Sequence, residues 1–431
     1  MSDLSIRNVR RHATSKKEDE KRIRRHRPDY ILLIFMVFLM MLGLIVLVSI
    51  NSALTQSHGD NMVVKQAIFL IAGSLAFTIA AHTPLRIFEK NATKLMWIAV
   101  AASALLFVLS LLPGQPMVSC ELGACRWFLV NGISFQAAEL IKFALLFYVA
   151  VFIAARVRAG ELNNVKTTLV PIALAVAVMA FFIIVLQKDM GTGIIMLSIV
   201  FAMLFMSGIS KKLLFSILGV TVLLGILLIV LFPHRIERVA TFLGTHSDTA
   251  AASSDETWHI DQALIAVGSG GMFGKGLGKG VQSYGYLPVA SSDSIFAVIA
   301  EMFGFFGTIA VLLIFGGILY RLLLIMDRSE RLEFRLIMAG IIAWVGMHIL
   351  VNIGAMLGVV PLTGITLPFL STGGTSLIMM MLLCGVAFQI SRYTSHAAVQ
   401  TNKGVPTDAY YRRGRGIGGS RNPSPRRNQR A

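Results

Sequence analysis

Ten apolar runs, each of about 20 residues, recur along this chain and constrain its fold more than any other feature. A helix of roughly that length crosses the hydrocarbon core of a bilayer. Only 14% of the 431 residues are charged, whereas soluble domains carry about 25%. The sequence therefore predicts an all-α integral membrane protein with about ten transmembrane helices, at 30–50, 62–82, 95–113, 134–155, 167–187, 190–207, 213–232, 295–320, 336–358 and 374–391.

The net charge of +17 is unevenly distributed, and this distribution predicts the topology. Residues 1–29 hold ten Lys and Arg residues, and residues 392–431 hold nine. The loops after the second, fourth, sixth and eighth spans are also basic, whereas the other loops carry little positive charge. Lys65, just inside the second span, is the main exception. By the positive-inside rule, both termini are cytoplasmic, and the charge favours anionic membrane lipids as partners over nucleic acid.

This topology divides the chain into a basic tail (1–29), a membrane domain (30–392) and a second basic tail (393–431). The composition of both tails predicts disorder; they either only fix the topology or also dock cytoplasmic proteins. One long loop, 233–294, precedes the eighth span on the extracytoplasmic face, and loops of that length are uncommon unless they are functional.

Two segments of the predicted outer face are rich in glycine. The run GSGGMFGKGLGKG (268–280) is either structural or, with Lys275, a nest for an anion. The stretch PLTGITLPFLSTGGTS (361–376) separates the last two spans. Irregular backbone at that depth must be buried in protein or line a watery cavity, so we expect this stretch to shape a site.

Cysteines and ionisable residues near the membrane give further candidates. Cys120 and Cys125 face the outside in the predicted topology and either form a disulfide or remain free thiols. No Cys/His spacing resembles a zinc site, and no metal or other cofactor is predicted. Gln136, Glu139 and Lys142 recur every three residues, so they share one helix face.

The charged pair of this face has two interpretations. Glu139 and Lys142 form either a neutral structural pair or a polar wall of a substrate cavity, with Arg126 at its outer mouth. Asp189 has the position of a helix N-cap. Asp293 is either an N-cap of the eighth span or a general base whose pKa a boundary environment raises. Glu301 lies two turns deeper on roughly the same face.

Several stretches together resemble the SEDS family of shape, elongation, division and sporulation proteins, which includes FtsW, RodA and SpoVE. They are GACRWFLVNGISFQAAELIKF (123–143), LQKDMGTG (186–193), IDQALIAVGSGGMFGKGLGKGVQSYGYLP (260–288), SDSIFAVIAEMFGFFG (292–307) and NIGAMLGVVPLTGITLPFLSTGGTS (352–376). The resemblance covers roughly residues 30–392. It implies a peptidoglycan glycosyltransferase of a bacterial cytoplasmic membrane, which polymerises lipid II with a class B penicillin-binding protein as its partner.

The resemblance also implies roles for individual residues. The family's catalytic aspartate matches Asp293, at the end of the long outer loop. Its polar Q-x-x-E-x-x-K helix matches Gln136, Glu139 and Lys142. Its Pro-Thr-Gly…Pro-Phe…Gly-Gly loop matches Phe369 and a set of residues that we expect to bind substrate, Pro361, Thr363, Gly364, Pro368, Ser371, Gly373 and Gly374.

The chain departs from the family pattern around the aspartate. A Glu and a His that usually precede it are replaced by Val289 and Ser291, and the second residue of a usual Glu-Glu pair is Met302. These departures bear on the rate and the exact substrate more than on the reaction class. The long basic tails and the GITLPF motif favour the division branch (FtsW-like), with division-machinery proteins as partners, over the elongation branch (RodA-like).

The resulting hypothesis is an inverting transfer, in which Asp293 deprotonates the acceptor GlcNAc 4-hydroxyl as it attacks the lipid-linked MurNAc. A cation such as Arg126, Lys142 or Lys275 would stabilise the diphosphate leaving group. One alternative is a lipid II flippase lined by Glu139 and Lys142, and another is an inactive scaffold. Oligomeric state and any need for a divalent cation stay open.

Overall fold

The computed structural model describes residues 27–54, 62–112, 117–121, 124–130, 133–231, 254–282 and 286–393. Within these ranges, eight helices are long and apolar enough to cross a membrane, and two shorter apolar helices occupy the other two predicted spans. The prediction of about ten membrane helices is thereby confirmed. Both predicted tails lie almost wholly outside the described residues, as does the first part of the long loop, 233–253.

The observed helices lie close to the predicted spans. They are α1 (Tyr30–Leu54), α2 (Met62–His82), α3 (Leu85–Ser110), α4 (Ala137–Arg158), α5 (Val170–Ala180), α6 (Met190–Met206), α7 (Lys211–Leu231), α8 (Ser254–Ser269), α9 (Ile295–Asp327), α10 (Leu332–Met356) and α11 (Thr375–Ser391). Turns of π-helix at Val165–Leu169 and Phe181–Leu186 extend α5 at both ends. Helix α8 belongs to the long loop, and the other ten helices are the membrane spans.

Helix α3 begins ten residues before the predicted start of the third span. Pro84 precedes its first residue, and a proline is tolerated at that position because no intrahelical N–H is needed there. Arg86, Lys90 and Lys94, assigned to a loop from the sequence, are therefore helical. Long basic side chains reach water from within a helix, so their charge did not mark the helix boundary.

A small antiparallel sheet, which the sequence did not predict, accompanies the helices of this fold. Strands β1 (Val118–Glu121), β2 (Ala124–Val130) and β3 (Ile133–Gln136) pair in the order β1-β2-β3. A disulfide joins Cys120 to Cys125 across the first hairpin, which settles the alternative that the sequence left open. Strand β3 leads directly into α4, so the sheet fixes where that helix begins.

Helices α4 and α10 form the centre of the membrane domain. Of their membrane-spanning windows, 61% and 67% are buried, against 6% in α7. Trp344 of α10 and Phe147 of α4 are fully buried. A helix that is apolar on all sides and enclosed by others tolerates a polar residue only with a partner, and α4 carries such a pair at Glu139 and Lys142.

Helix α9 is interrupted at Gly304, where φ is 66° and ψ is −164°. The predicted glycine run docks at this break through backbone hydrogen bonds. The Lys275 N–H donates to the Glu301 carbonyl (2.9 Å), and the Phe305 N–H donates to the Gly271 carbonyl (2.8 Å). These hydrogen bonds support the structural role of the glycine run rather than an anion nest.

Candidate functional site

A cavity of about 940 Å³ lies where α2, β2, α8, α10 and the loop between α10 and α11 meet. Its lining combines apolar residues with a set of polar and charged side chains, which includes Lys65, Arg126, His259, Ser292, Asp293 and Asn352. Cavities of this size, lined by apolar groups and a few convergent polar ones, are typical of ligand sites.

Asp293 lies on the cavity wall, one residue before the cap of α9. The N-cap is Ser294, and no side chain caps this helix end, so the alternative of Asp293 as an N-cap is wrong. Ser292 Oγ donates a hydrogen bond to Asp293 Oδ1 at 3.0 Å. The Asp293 carboxylate therefore lies beside the cavity rather than against the helix end.

Burial sets the acidity of this carboxyl group. Loss of hydration raises the pKa of Asp293, and the negative charge of Asp189 raises it further. The hydrogen bond from Ser292 opposes both by favouring the charged form. The net effect is a carboxyl group whose pKa is raised above its ordinary value, in the direction that a general base requires.

The loop 361–376 packs on the segment that carries Asp293. Ser371 Oγ accepts a hydrogen bond from the Leu367 N–H (2.8 Å) and donates one to the Ser292 carbonyl (2.6 Å). Gly364 has a φ of 70°, and a Cβ there would lie 3.5 Å from Asp293 Oδ2. The irregular backbone therefore shapes the immediate surroundings of the carboxylate, as the sequence predicted for this stretch.

Only part of this loop reaches the cavity. Thr363, Gly364, Gly373 and Gly374 line it. The other predicted residues of the loop do not line the cavity. Pro361 and Pro368 shape the backbone, and buried Phe369 packs in the core. Ser371 makes the two hydrogen bonds given above.

Arg126 lines the cavity and brings positive charge to it. Its Nε donates to the Gln187 carbonyl and one terminal nitrogen donates to the Lys188 carbonyl, each at 3.0 Å. These two bonds fix the guanidinium, which carries further N–H groups suited to an anionic oxygen. Lys65 of α2 lines the same cavity. The residue that departs from the predicted charge pattern is therefore part of the site.

Gln136 and Asp189 support the wall without lining it. Gln136 Nε2 donates to Asp189 Oδ2 at 3.0 Å. The other carboxylate oxygen, Oδ1, accepts from the Thr192 N–H at 2.9 Å, so Asp189 is the N-cap of α6, as predicted. Asp189 reaches the site only through its electrostatic effect on Asp293.

Glu139 and Lys142 form a closed pair inside the membrane domain. Lys142 Nζ lies 2.8 Å from Glu139 Oε1, with side-chain exposures of 0% and 3%. The ammonium group also lies 4.6 Å from the centre of the Trp344 ring, a favourable cation–π distance. Neither residue lines the cavity, so the geometry supports the structural interpretation of this pair.

Lys275 and Glu301 also lie outside the cavity lining. Lys275 Nζ is 2.9 Å from Glu301 Oε1, and the same carboxylate accepts the backbone N–H groups of Val281 and Gln282. Glu301 is fully buried, and buried charges need this degree of pairing. The pair therefore holds the glycine run onto α9 and does not face a ligand.

His259 and Asn352 line the cavity although the sequence did not single them out. His259 Nε2 lies 2.6 Å from Ser294 Oγ, which donates its proton to the Pro288 carbonyl; the imidazole N–H is therefore the donor to Ser294. Burial lowers the pKa of His259, which favours the neutral ring. The only sequence signal for Asn352 was its position at the start of the last family-like stretch.

Comparisons with known proteins show what this chain is similar to. The family model described as "Cell cycle protein" (FtsW, RodA, SpoVE) matches residues 30–396. Stage V sporulation protein E of Bacillus subtilis is 32% identical over 86% of this chain and 98% of its own length. A probable peptidoglycan glycosyltransferase FtsW of Pseudoalteromonas translucida is 31% identical over 87% of this chain and 92% of its own.

Solved structures show the same fold. A chain of a peptidoglycan synthase complex that coordinates polymerization and crosslinking has a TM-score of 0.68 and 25% identity, over 85% of this chain and 98% of that chain. RodA, the rod shape determining protein of Thermus thermophilus, has a TM-score of 0.61 and 25% identity, over 86% and 98% respectively.

Proposed function

The chain belongs to the FtsW/RodA/SpoVE family of cell cycle proteins, and we propose that it is a peptidoglycan glycosyltransferase that polymerises lipid II during cell division. The observation that carries this proposal is the position of Asp293, a carboxyl group with a raised pKa on the wall of a 940 Å³ cavity. The relatives named as probable peptidoglycan glycosyltransferases support the reaction class.

The proposed reaction is a single displacement with inversion at the anomeric carbon. Asp293 takes the proton of the acceptor GlcNAc 4-hydroxyl while its oxygen attacks C1 of the donor MurNAc. The new O4–C1 bond forms as the bond from C1 to the polyprenyl diphosphate breaks, and the diphosphate leaves with the electron pair. One carboxylate suffices for this route, whereas a retaining route through a glycosyl-enzyme intermediate needs a second carboxylate as nucleophile.

The diphosphate gains negative charge as it leaves, and a fixed cation stabilises that charge. Arg126 is the best-placed candidate because two backbone carbonyls hold its guanidinium at the cavity mouth. Lys65 lines the same cavity and is a second candidate. Lys142 and Lys275 are paired with carboxylates away from the lining and have no part in the proposal.

The proposal places the protein in a bacterial cytoplasmic membrane with the cavity on the extracytoplasmic face. The charge distribution of the sequence supports this orientation. A class B penicillin-binding protein and other division proteins are the proposed partners. The similarity to a chain of a peptidoglycan synthase complex supports an assembly of that kind.

The test is glycan-strand formation from lipid II by purified protein, alone and with the partner transpeptidase. We expect Asp293→Asn and Asp293→Ala to lower the rate at least about a hundredfold, the usual contribution of a general base. Asp261→Asn is the matched control, because this aspartate is exposed on α8 and does not line the cavity. Its rate should equal that of the wild type.

Two further variants separate the enzyme from a transporter. A lipid II transporter that uses the α4 pair requires Glu139 and Lys142 but not Asp293. Absence of polymerisation by the wild type, together with loss of lipid II translocation in Glu139→Gln and Lys142→Gln, would replace the proposed function by transport. Near-normal polymerisation by both Asp293 variants would instead remove only the role of Asp293 as the base.

A further inference from the structure

The side-chain amide of Asn352 joins two segments of the cavity wall. This residue of α10 is 2% exposed. Its Nδ2 donates to the Asp293 carbonyl at 2.8 Å and to the Ile365 carbonyl at 2.7 Å. Because carbonyl oxygens only accept hydrogen bonds, this arrangement fixes which end of the amide is nitrogen. Asn352 therefore ties the segment of Asp293 to the loop 361–376.

The other end of the same amide has a different environment. Asn352 Oδ1 is buried and has no hydrogen-bond partner among the residues that the structure describes. Asn352 is at the same time part of the lining of the cavity that contains Asp293. Most buried polar atoms are hydrogen-bonded, and an unpaired one costs about 1–3 kcal/mol. A buried acceptor without a partner, on a residue that lines a cavity, is a position where a ligand can supply the missing donor.

The chemistry of the acceptor limits what that ligand group can be. An amide oxygen needs an N–H or O–H donor. A diphosphate presents acceptor oxygens at neutral pH and cannot supply the bond. The sugars of the proposed substrate carry both kinds of donor, in their acetamido groups and their hydroxyls.

We propose that Asn352 Oδ1 accepts a hydrogen bond from an N–H or O–H group of a substrate sugar at the Asp293 end of the cavity. This inference rests on the proposed function and adds a sugar-recognition residue to it. One amide then serves two purposes, because its nitrogen positions the backbone of Asp293 and its oxygen recognises the sugar through a hydrogen bond. Recognition by a buried group that is left unpaired with the wrong ligand is a strong source of specificity.

The test compares substrate analogues in wild-type and variant protein. The probes are short-chain lipid II, an analogue with acetate esters in place of the acetamido groups, and analogues that lack single hydroxyls other than the reacting 4-hydroxyl. Dissociation constants are measured in the Asp293→Asn background, where turnover does not consume the probe. kcat/KM is measured with Asp293 intact.

We expect one class of analogue to bind about fivefold more weakly than lipid II to protein with Asn352, the usual value of one hydrogen bond. In Asn352→Ala, lipid II itself should bind more weakly, and the same analogue should cause no further loss. A loss confined to the ester analogue identifies the acetamido N–H as the donor, and a loss confined to a deoxy analogue identifies that hydroxyl.

Gln389→Ala is the matched control. Gln389 is a buried amide of α11 whose nitrogen also donates to a backbone carbonyl, that of Thr83, and whose oxygen also lacks a partner among the described residues. It does not line the cavity. Its variant should retain the full difference between lipid II and the analogue, even if its thermal midpoint falls.

Two results would overturn the inference. One is equal binding of lipid II and all analogues by protein that retains Asn352. This result can be measured without any Asn352 variant. The other is a loss of analogue binding in Asn352→Ala that is as large as the loss in protein with Asn352. If the protein binds no lipid II at all, the proposed function fails as well, whereas normal polymerisation with either of these two results removes only the role of Asn352.

Discussion

At the scale of single residues, the site depends on a balance of effects at one carboxyl group. Burial and the charge of Asp189 raise the pKa of Asp293, and the hydrogen bond from Ser292 lowers it. A fully hydrated Asp would be a weak base at neutral pH, and a fully buried one would stay protonated. Val289 and Ser291 stand where the family pattern has a Glu and a His, and the hydrogen bond that favours the charged form comes from Ser292.

The balance predicts how activity depends on pH. Asp293 accepts a proton only when it is ionised, so kcat/KM should fall as the pH drops through its raised pKa. Ser292→Ala removes the hydrogen bond that favours the charged form, which raises the pKa of Asp293 further. The acid limb of the pH profile should therefore move to higher pH, as measured by polymerisation rates between about pH 4 and pH 9, which spans the ordinary carboxyl and imidazole values.

Ser291→Ala provides the control for this pH shift. Ser291 also lines the cavity, but its Oγ contacts the hydroxyl of Thr372 at 3.2 Å and not the carboxylate. Its acid limb should stay in the wild-type position. An acid limb that stays fixed in Ser292→Ala would show that Asp293 does not control the profile.

At the scale of secondary structure, the long outer loop docks on the membrane domain at the break in α9. The glycine run forms backbone hydrogen bonds with residues 301–306, and the Glu301 carboxylate accepts two N–H groups farther along the same loop. Gly304 allows this approach because it has a positive φ and no side chain. Asp293 and the break lie in the same segment, so the docking of the loop helps to fix the position of the site.

Gly304→Ala should weaken this docking. An alanine at position 304 would have to keep the positive φ of this glycine, which residues with a side chain rarely adopt. Its Cβ would also lie at a clashing distance from the Gly274 nitrogen. We expect a loss of about 2 kcal/mol or more of stability, seen as a lower thermal midpoint in detergent, together with slower polymerisation.

Gly316→Ala tests the same change on an open part of α9. A Cβ there would meet nothing within 4 Å, and alanine favours the helix by up to about 1 kcal/mol. Its thermal midpoint should stay or rise. Equal midpoints for the two variants would mean that the glycine run does not need the close approach at Gly304.

At the scale of the whole molecule, the proposed topology puts the cavity on the extracytoplasmic face of the membrane. The sheet, helix α8 and the loop 361–376 all contribute to the cavity. Within the central helix α4, the charged residues Glu139 and Lys142 pair with each other and do not line the cavity. This arrangement suits chemistry at the membrane surface better than passage of a substrate through the middle of the bundle.

Cysteine labelling tests this orientation. Asp261 of α8 and Lys212 of α7 are both exposed, and the proposed topology places them on opposite sides. In spheroplasts, an impermeant thiol reagent should label Asp261→Cys at once and Lys212→Cys only after permeabilisation. The native cysteines give little background, since Cys384 is buried and Cys120 is bonded to Cys125. Labelling of Lys212→Cys in intact spheroplasts would reverse the orientation.

The sequence by itself determined the membrane spans, because hydrocarbon requires about 20 apolar residues per helix wherever the chain folds. It also indicated the family, and Asp293 as a candidate base, through motifs that are local in the chain. It misjudged the start of α3, where helical basic residues resembled a loop. It also missed the sheet, whose short strands depend on pairing with one another.

Only the tertiary structure decided which polar residues meet. Lys65, His259 and Asn352 come from separate helices and reach one cavity, whereas Glu139, Lys142, Lys275 and Glu301 pair elsewhere. Spacing along one helix gives the face that a residue occupies but not the neighbour that the face contacts. That neighbour depends on how distant elements pack, which is why sequence motifs indicated a candidate base but not the residues that surround it.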